Sequence, residues 1–193
     1  MHSQLPHELE ASLRSNPLVA QLLNAWGDLD LPNGWLVAGT VVQSYWNTIH
    51  GFPPLHGIDD VDLIYFDPND LSEEAEVAHA TRISDRFASL SVRFDVKNEA
   101  RVHLWYENKF GYPILPYRSA ESAIDTFPTT AGAIGIRAEG DAIGSYTSFG
   151  FDDLMNLVVR PNKRQITRQI YARKVARWRS LWPMLEIIGW DDE

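Results

Sequence analysis

The stretch that decides the fold is Gly57–Asp67, GIDDVDLIYFD, read together with Trp35–Thr40, WLVAGT, some twenty residues before it. Asp60 to Phe66 is rich in β-branched and aromatic residues and is bounded by turn formers, which predicts a strand. Successive strand side chains point to opposite faces, so Asp60 and Asp62 project from one face with Cα atoms about 6.5–7 Å apart. Asp59 is an alternative to Asp60, but only Asp60 shares a face with Asp62. Upstream, Gly34–Gly39 predicts a short buried strand. Thr40–Ile49 predicts a helix with Val41, Val42, Tyr45, Trp46 and Ile49 inward and Thr40 as its cap. Downstream, Ser91–Lys97 alternates cleanly, with Val92, Phe94 and Val96 on one face and Arg93, Asp95 and Lys97 on the other.

These three segments assemble a site if their strands are neighbours. Asp60, Asp62 and Asp95 would then converge. Two carboxylates about 4 Å apart repel by about 4 kcal/mol at an effective dielectric near 20, so such a cluster calls for a cation or a proton. Oxygen ligands in a chain with no cysteine point to Mg²⁺ or Mn²⁺ rather than a soft metal. Gly39 and Thr40 stand at a strand-to-helix junction. Its free N–H groups and positive dipole end suit phosphate oxygens.

The remaining chain predicts a mixed architecture. Residues 6–26 read as a helix that Pro17 must kink or split. Asp70 and Glu73 resemble a capping box opening a helix to about residue 89. Arg101–Tyr106 reads as a strand and Ser119–Ile124 as a short helix. Ala133–Arg137 and Ala142–Tyr146 read as a hairpin about Gly140. Asp152–Val159 reads as helical, and a long helix over Lys163–Leu181 closes the chain. The expected class is α+β, a mixed sheet flanked by helices, in one domain over residues 1–193. Its core spans about 34–146, with a helical C-terminal extension over 149–193.

Composition narrows the function. The 193 residues carry a net charge of −9, yet Arg160–Arg179 holds eight basic residues and no acidic one. The rest has nine basic residues against 26 acidic. An acidic protein is a poor non-specific nucleic-acid coat, whereas one basic segment suits a local polyanion or simply offsets acidic neighbours. Within that segment Lys174 and Arg177 fall in the apolar stripe of the helix. They are candidates to face nucleotide phosphates or the acidic cluster, with an internal salt bridge or snorkelling near the helix ends as the alternative; Arg137 is a weaker candidate. His103 reads as structural. Trp105 and Tyr106 are able to stack on a base, with nothing in the pattern selecting them. The absence of cysteine excludes disulfides and thiol chemistry. No apolar run approaches the roughly 18 residues of a membrane helix, and the first ten residues do not read as a secretory signal, so the expected location is the cytoplasm.

The order Gly-Thr helix, Asp-x-Asp strand, then a strand with one Asp resembles the DNA polymerase β-type nucleotidyltransferase superfamily. WLVAGTVVQSYWN, GIDDVDLIYFD, VRFDVKNEARVHLWY, KFGYPI, FPTTAGAIGIR, VRPNK and YARKVARW, running from Trp35 to Trp182, look like a small family of bacterial nucleotidyltransferase-like proteins. The resemblance implies a nucleotidyltransferase fold and transfer of a nucleoside monophosphate from an NTP to an acceptor, with pyrophosphate released. It implies Gly39 and Thr40 at the phosphates, Asp60 and Asp62 as the metal-binding pair, and Asp95 as general base or further metal ligand. The 19 residues between Thr40 and Asp60 exceed the superfamily's usual spacing, and the Pro53-Pro54 loop must absorb them. Two rival readings remain: an inactive nucleotide-binding or protein-interaction module on the same fold, and an RNA-binding protein using the basic C-terminal helix.

Overall fold

The computed structural model describes residues 4–192. The predicted N-terminal helix is two helices, α1 (His7–Ser15) and α2 (Pro17–Asn24). Pro17 supplies no amide for α1, and the Asn16 side chain caps α2 by accepting from the N–H groups of Leu18 and Val19. The chain continues through β1 (Trp35–Val37), α3 (Gly39–His50), β2 (Asp60–Tyr65), α4 (Glu73–Arg86) and β3 (Arg93–Asn98). Then come α5 (Tyr106–Phe110), α6 (Ala120–Ile124), β4 (Ile134–Glu139), β5 (Ala142–Thr147) and α7 (Asp152–Met155). β6 (Val158–Val159), α8 (Arg168–Leu181) and β7 (Glu186–Ile187) complete it.

Several expectations are corrected. Residues 101–106 are not a strand: a 3₁₀ turn over Val102–Leu104 leads into α5. Asn98 explains the break. Fully buried, it accepts from the N–H groups of Asp67 and Ala100 and donates to the carbonyls of Asp67 and Asp70, which turns the chain off the sheet. Ser72, not Asp70, caps α4, and Asp70 braces that cap by accepting from the Ser72 amide. The last helix starts at Arg168 rather than Lys163. Asn162 holds the preceding segment in a loop by donating to the carbonyls of Asp125 and Phe127. The segment over 149–193, expected to be helical, also carries β6 and β7, paired in parallel. Leu157, at φ +61°, ends the predicted 152–159 helix early.

One sheet runs in the order β3-β2-β1-β4-β5. β2 and β3 are parallel; β1 is antiparallel to both β2 and β4, and β4 to β5. This is an α+β fold. The face bearing Val61, Leu63 and Tyr65 buries the main core beneath α1–α4, and Trp178 and Trp182 from the C-terminal segment join it. Trp46 on α3 meets both indoles, at ring-centroid distances of 4.9 and 5.4 Å. Trp182 Nε1 donates to the buried Asn47 side chain at 2.7 Å. The opposite face is apolar only where α6 covers Trp35, Val37 and Ile64; its other end carries the acidic residues. No helix among the described residues is long and apolar enough to cross a membrane.

Candidate active site

The parallel ladder sets the geometry. Asp60 pairs in register with Arg93, and Asp62 with Asp95. Register partners on adjacent strands point to the same face, so Asp60, Asp62 and Asp95 project together, with Asp62 and Asp95 one strand spacing, about 4.8 Å, apart. β1, antiparallel to β2, delivers the turn at Ala38–Gly39 to the same place. A Cβ built on Gly39 would come 3.9 Å from Asp62 Oδ2 and 3.2 Å from Gln43 Nε2. A side chain there would narrow the space between the turn and the carboxylate.

The turn itself differs from expectation. α3 begins at Gly39, and its cap position is Ala38, which has no side-chain oxygen to offer. Orphan N–H groups of the first turn therefore keep their capacity to bind an anion. Ala38 sits at φ +51°, ψ −116°, a conformation that favours glycine, and its amide is tied to the Ile134 carbonyl. Thr40 is not the cap. Its buried hydroxyl donates to the Asp60 carbonyl at 3.2 Å, locking α3 to the start of β2.

Val37, Ala38, Asp62, Asp95, Lys174 and Glu99 help line a cavity of about 220 Å³. Burial, reinforced by the negative charges of Asp60 and Asp95 and opposed by Lys174, pushes the Asp62 carboxyl up to about 6. Lys174 on α8 lines the same cavity. Burial pulls its ammonium down, and Asp62 and Asp60 partly hold it up. Its Nζ also lies 4.7 Å from the Trp178 ring centroid. Asp60 is paired with Arg93 at 2.7 Å and Asp95 with Lys97 at 3.0 Å. Lys97 is buried at a cost to its charge, but Asp95 and Glu76 outweigh that and raise its pKa.

Arg177 and Arg137 are placed differently. Arg177 is exposed and donates to the Asp59 carboxylate and, at 2.7 Å, to the Gly57 carbonyl. It closes the loop before β2, and a phosphate would have to compete with Asp59 for it. This occupies Asp59 as well. Arg137 lies on the sheet face that carries the aspartates, but its guanidinium stacks 4.3 Å from the Trp35 ring centroid and pairs with Glu139 at 2.7 Å. It does not line the cavity. Other basic residues of the 160–179 segment are paired too: Arg160 with Asp153, Arg164 with Asp125 and Arg168 with Asp191.

Sequence reasoning missed Glu99. The alternation that marks Arg93, Asp95 and Lys97 continues by two to Glu99, but the predicted strand stopped at Lys97. Glu99 is buried in the same cavity, and burial, with Glu76 adding to it, pushes its carboxyl up to about 8.

The donor set suits a hard divalent cation: three carboxylates on one face of the sheet, one of them driven toward protonation by burial and by the other two. Among the described residues, no three acidic or imidazole groups close round a single point. Arg93 and Lys97 draw Asp60 and Asp95 aside, so binding a cation would exchange those two ion pairs for coordination.

A strand–turn–helix beside an acid-bearing mixed sheet is the scaffold of nucleotidyltransferases, and the comparisons agree. The sequence pattern of a nucleotidyltransferase family matches residues 24–187, most of the chain, and the protein belongs to that family. A solution structure described as a CCA-adding enzyme head domain has the same fold. The two superpose with a TM-score of 0.79 over 97% of each chain at 23% identity. No curated protein matches the sequence.

Proposed function

We propose that this protein is a divalent-metal-dependent nucleotidyltransferase that moves a nucleoside monophosphate from an NTP onto a nucleophilic acceptor and releases pyrophosphate. The observation that carries the reading is the Asp62–Asp95 register pair, facing a cavity bordered by the Ala38–Gly39 turn and Lys174. Asp60, Asp62 and Asp95 would hold Mg²⁺ or Mn²⁺, which when bound neutralises charge on the phosphates and the leaving pyrophosphate. The first turn of α3 and Lys174 grip the triphosphate. The acceptor's bond to the α-phosphorus forms as the α–β bridging P–O bond breaks, and pyrophosphate departs with the electron pair. Asp95 takes the acceptor's proton. Positioning and charge neutralisation supply most of the rate.

Arg177 assists from behind, holding Asp59 and the Gly57 carbonyl so that β2 starts in place. The test is incubation with α-labelled NTPs, Mg²⁺ and separate tRNA and small-molecule extracts. Label should enter an acceptor with equal release of pyrophosphate, and Asp62→Asn should abolish both. Transfer that survives Asp62→Asn or EDTA would refute the reading. Binding of RNA with a steep salt dependence, indifferent to Mg²⁺ and NTP, would favour the RNA-binding alternative.

A further inference from the structure

Beside the carboxylate cavity lies a second one of about 190 Å³. The two share Lys97, Glu99, Phe127 and Pro128 as walls, so they meet along one side. The second is lined by the rings of Trp105, Tyr106, Phe110 and Tyr117. The helical course of residues 102–110 builds this wall: Tyr106 and Phe110 are one helical turn apart, with ring centroids at 4.4 Å. Its polar groups are mostly satisfied. Tyr117 and Gln165 bond each other at 2.7 Å, and the Tyr106 and Tyr112 hydroxyls bond at 3.1 Å.

Glu99 is the exception. It is only 7% exposed and lines both cavities, and among the described residues its carboxyl has no hydrogen bond or ion pair. Its oxygens open onto the cavity space while the rest of the residue is buried, so an acid with no protein partner there is placed to meet a ligand.

We propose that the aromatic cavity seats the nucleobase of the NTP, with the Glu99 carboxyl hydrogen-bonding the base's edge; this rests on the transferase reading above. Size agrees: a cavity of about 150 Å³ is known to hold benzene, so this one suits a single planar ring. The walls agree, because aromatic side chains stack on any base through its π-face. Direction agrees as well. β3 presents Asp95, Lys97 and then Glu99 along one face, while the Gly39 turn lies at the Asp60 end of the adjoining strands. An NTP with its phosphates against that turn and its α-phosphate at Asp62 and Asp95 has its base at the Glu99 end.

The test is calorimetric titration of ATP, CTP, GTP, UTP and inorganic tripolyphosphate, each with Mg²⁺, into wild type, Glu99→Gln and Phe110→Ala. Phe110 is on the rim, so trimming it leaves the core intact, and Glu99→Gln keeps shape; circular dichroism is the check that both fold. At least one NTP should bind about ten-fold or more tighter than tripolyphosphate. Phe110→Ala should remove about ten-fold of that advantage, leaving tripolyphosphate affinity unchanged. Glu99→Gln should change the affinity ratios among the four NTPs by up to about ten-fold, the size of one buried hydrogen bond. NTPs that bind no tighter than tripolyphosphate, or variants with wild-type ratios, would overturn the base pocket while leaving the transferase reading standing. No binding of either ligand class would overturn both.

Discussion

Replacing Asp62 by Asn should make the folded protein more stable while disabling it. A carboxyl whose pKa is lifted from 3.8 to about 6 on folding loses about 3 kcal/mol of folding free energy when it must ionise, well above pH 6. Solvent reaches the half-buried side chain, and the variant also deprives Lys174 of a nearby negative charge. The expected gain at pH 7.5 is therefore about 1–3 kcal/mol. The sign follows from proton counts. Between pH 3.8 and about 6 the folded chain holds the Asp62 proton that the unfolded chain has released, so wild-type stability falls as pH rises through that window. The variant lacks this loss. Urea unfolding followed by tryptophan fluorescence, run on both proteins at half-unit steps from pH 4 to 8, reads the difference directly. It should be small at pH 4, grow to about pH 6.5 and then level off; groups common to both proteins cancel. A variant less stable than wild type at pH 7.5, or a difference independent of pH, would refute the account of Asp62 as a carboxylate strained by burial and by its acidic neighbours.

Ala38→Gly should stabilise the fold by about 1 kcal/mol by relieving the positive-φ strain beside the carboxylates, as thermal unfolding would show. Glu76→Ala should cost about 3–5 kcal/mol in urea unfolding. It leaves the buried Arg101 guanidinium without its 3.0 Å partner and the Asn98 amide without its 2.8 Å acceptor. Asp59→Asn should leave transfer activity near wild type and stability within about 1 kcal/mol, because its pair with Arg177 is exposed; a loss as deep as that of Asp62→Asn would shift the metal site to Asp59. Lys174→Met should lower kcat/KM by about 10²-fold with little change in the melting temperature, since it removes a cation aimed at the transferred charge.

The strands that bear the three aspartates were legible because their patterns are local. Period-two alternation placed Asp60, Asp62 and Asp95 on strand faces, and the structure joins those strands in parallel, in register. What was not legible depended on distant partners. The Arg101–Tyr106 segment has strand-like residues, yet the buried Asn98 side chain diverts it into helix. The start of α8 is delayed by Asn162, whose partners lie some 35 residues earlier. A helical wheel put Lys174 and Arg177 in one stripe, but it carries no information about what faces them. Lys174 meets the cavity, and Arg177 meets Asp59 at the helix flank. Arg137 is read from sequence only as a strand-end candidate; the sheet register puts it on the aspartate face, where Trp35 intercepts its guanidinium. Glu99 was missed because it lies just past the strand end, where alternation is no longer read.

The central claim is that aspartates from two neighbouring strands and the turn before α3 gather around one divalent ion with a nucleotide. Paramagnetic broadening of backbone amide signals by Mn²⁺, in the presence of a non-hydrolysable NTP analogue, tests it most directly. The account predicts selective loss of the signals of residues 38–40, 60–62 and 93–96, reversed by excess Mg²⁺ and absent in Asp62→Asn. Broadening centred elsewhere on the surface, or unchanged in that variant, would contradict it.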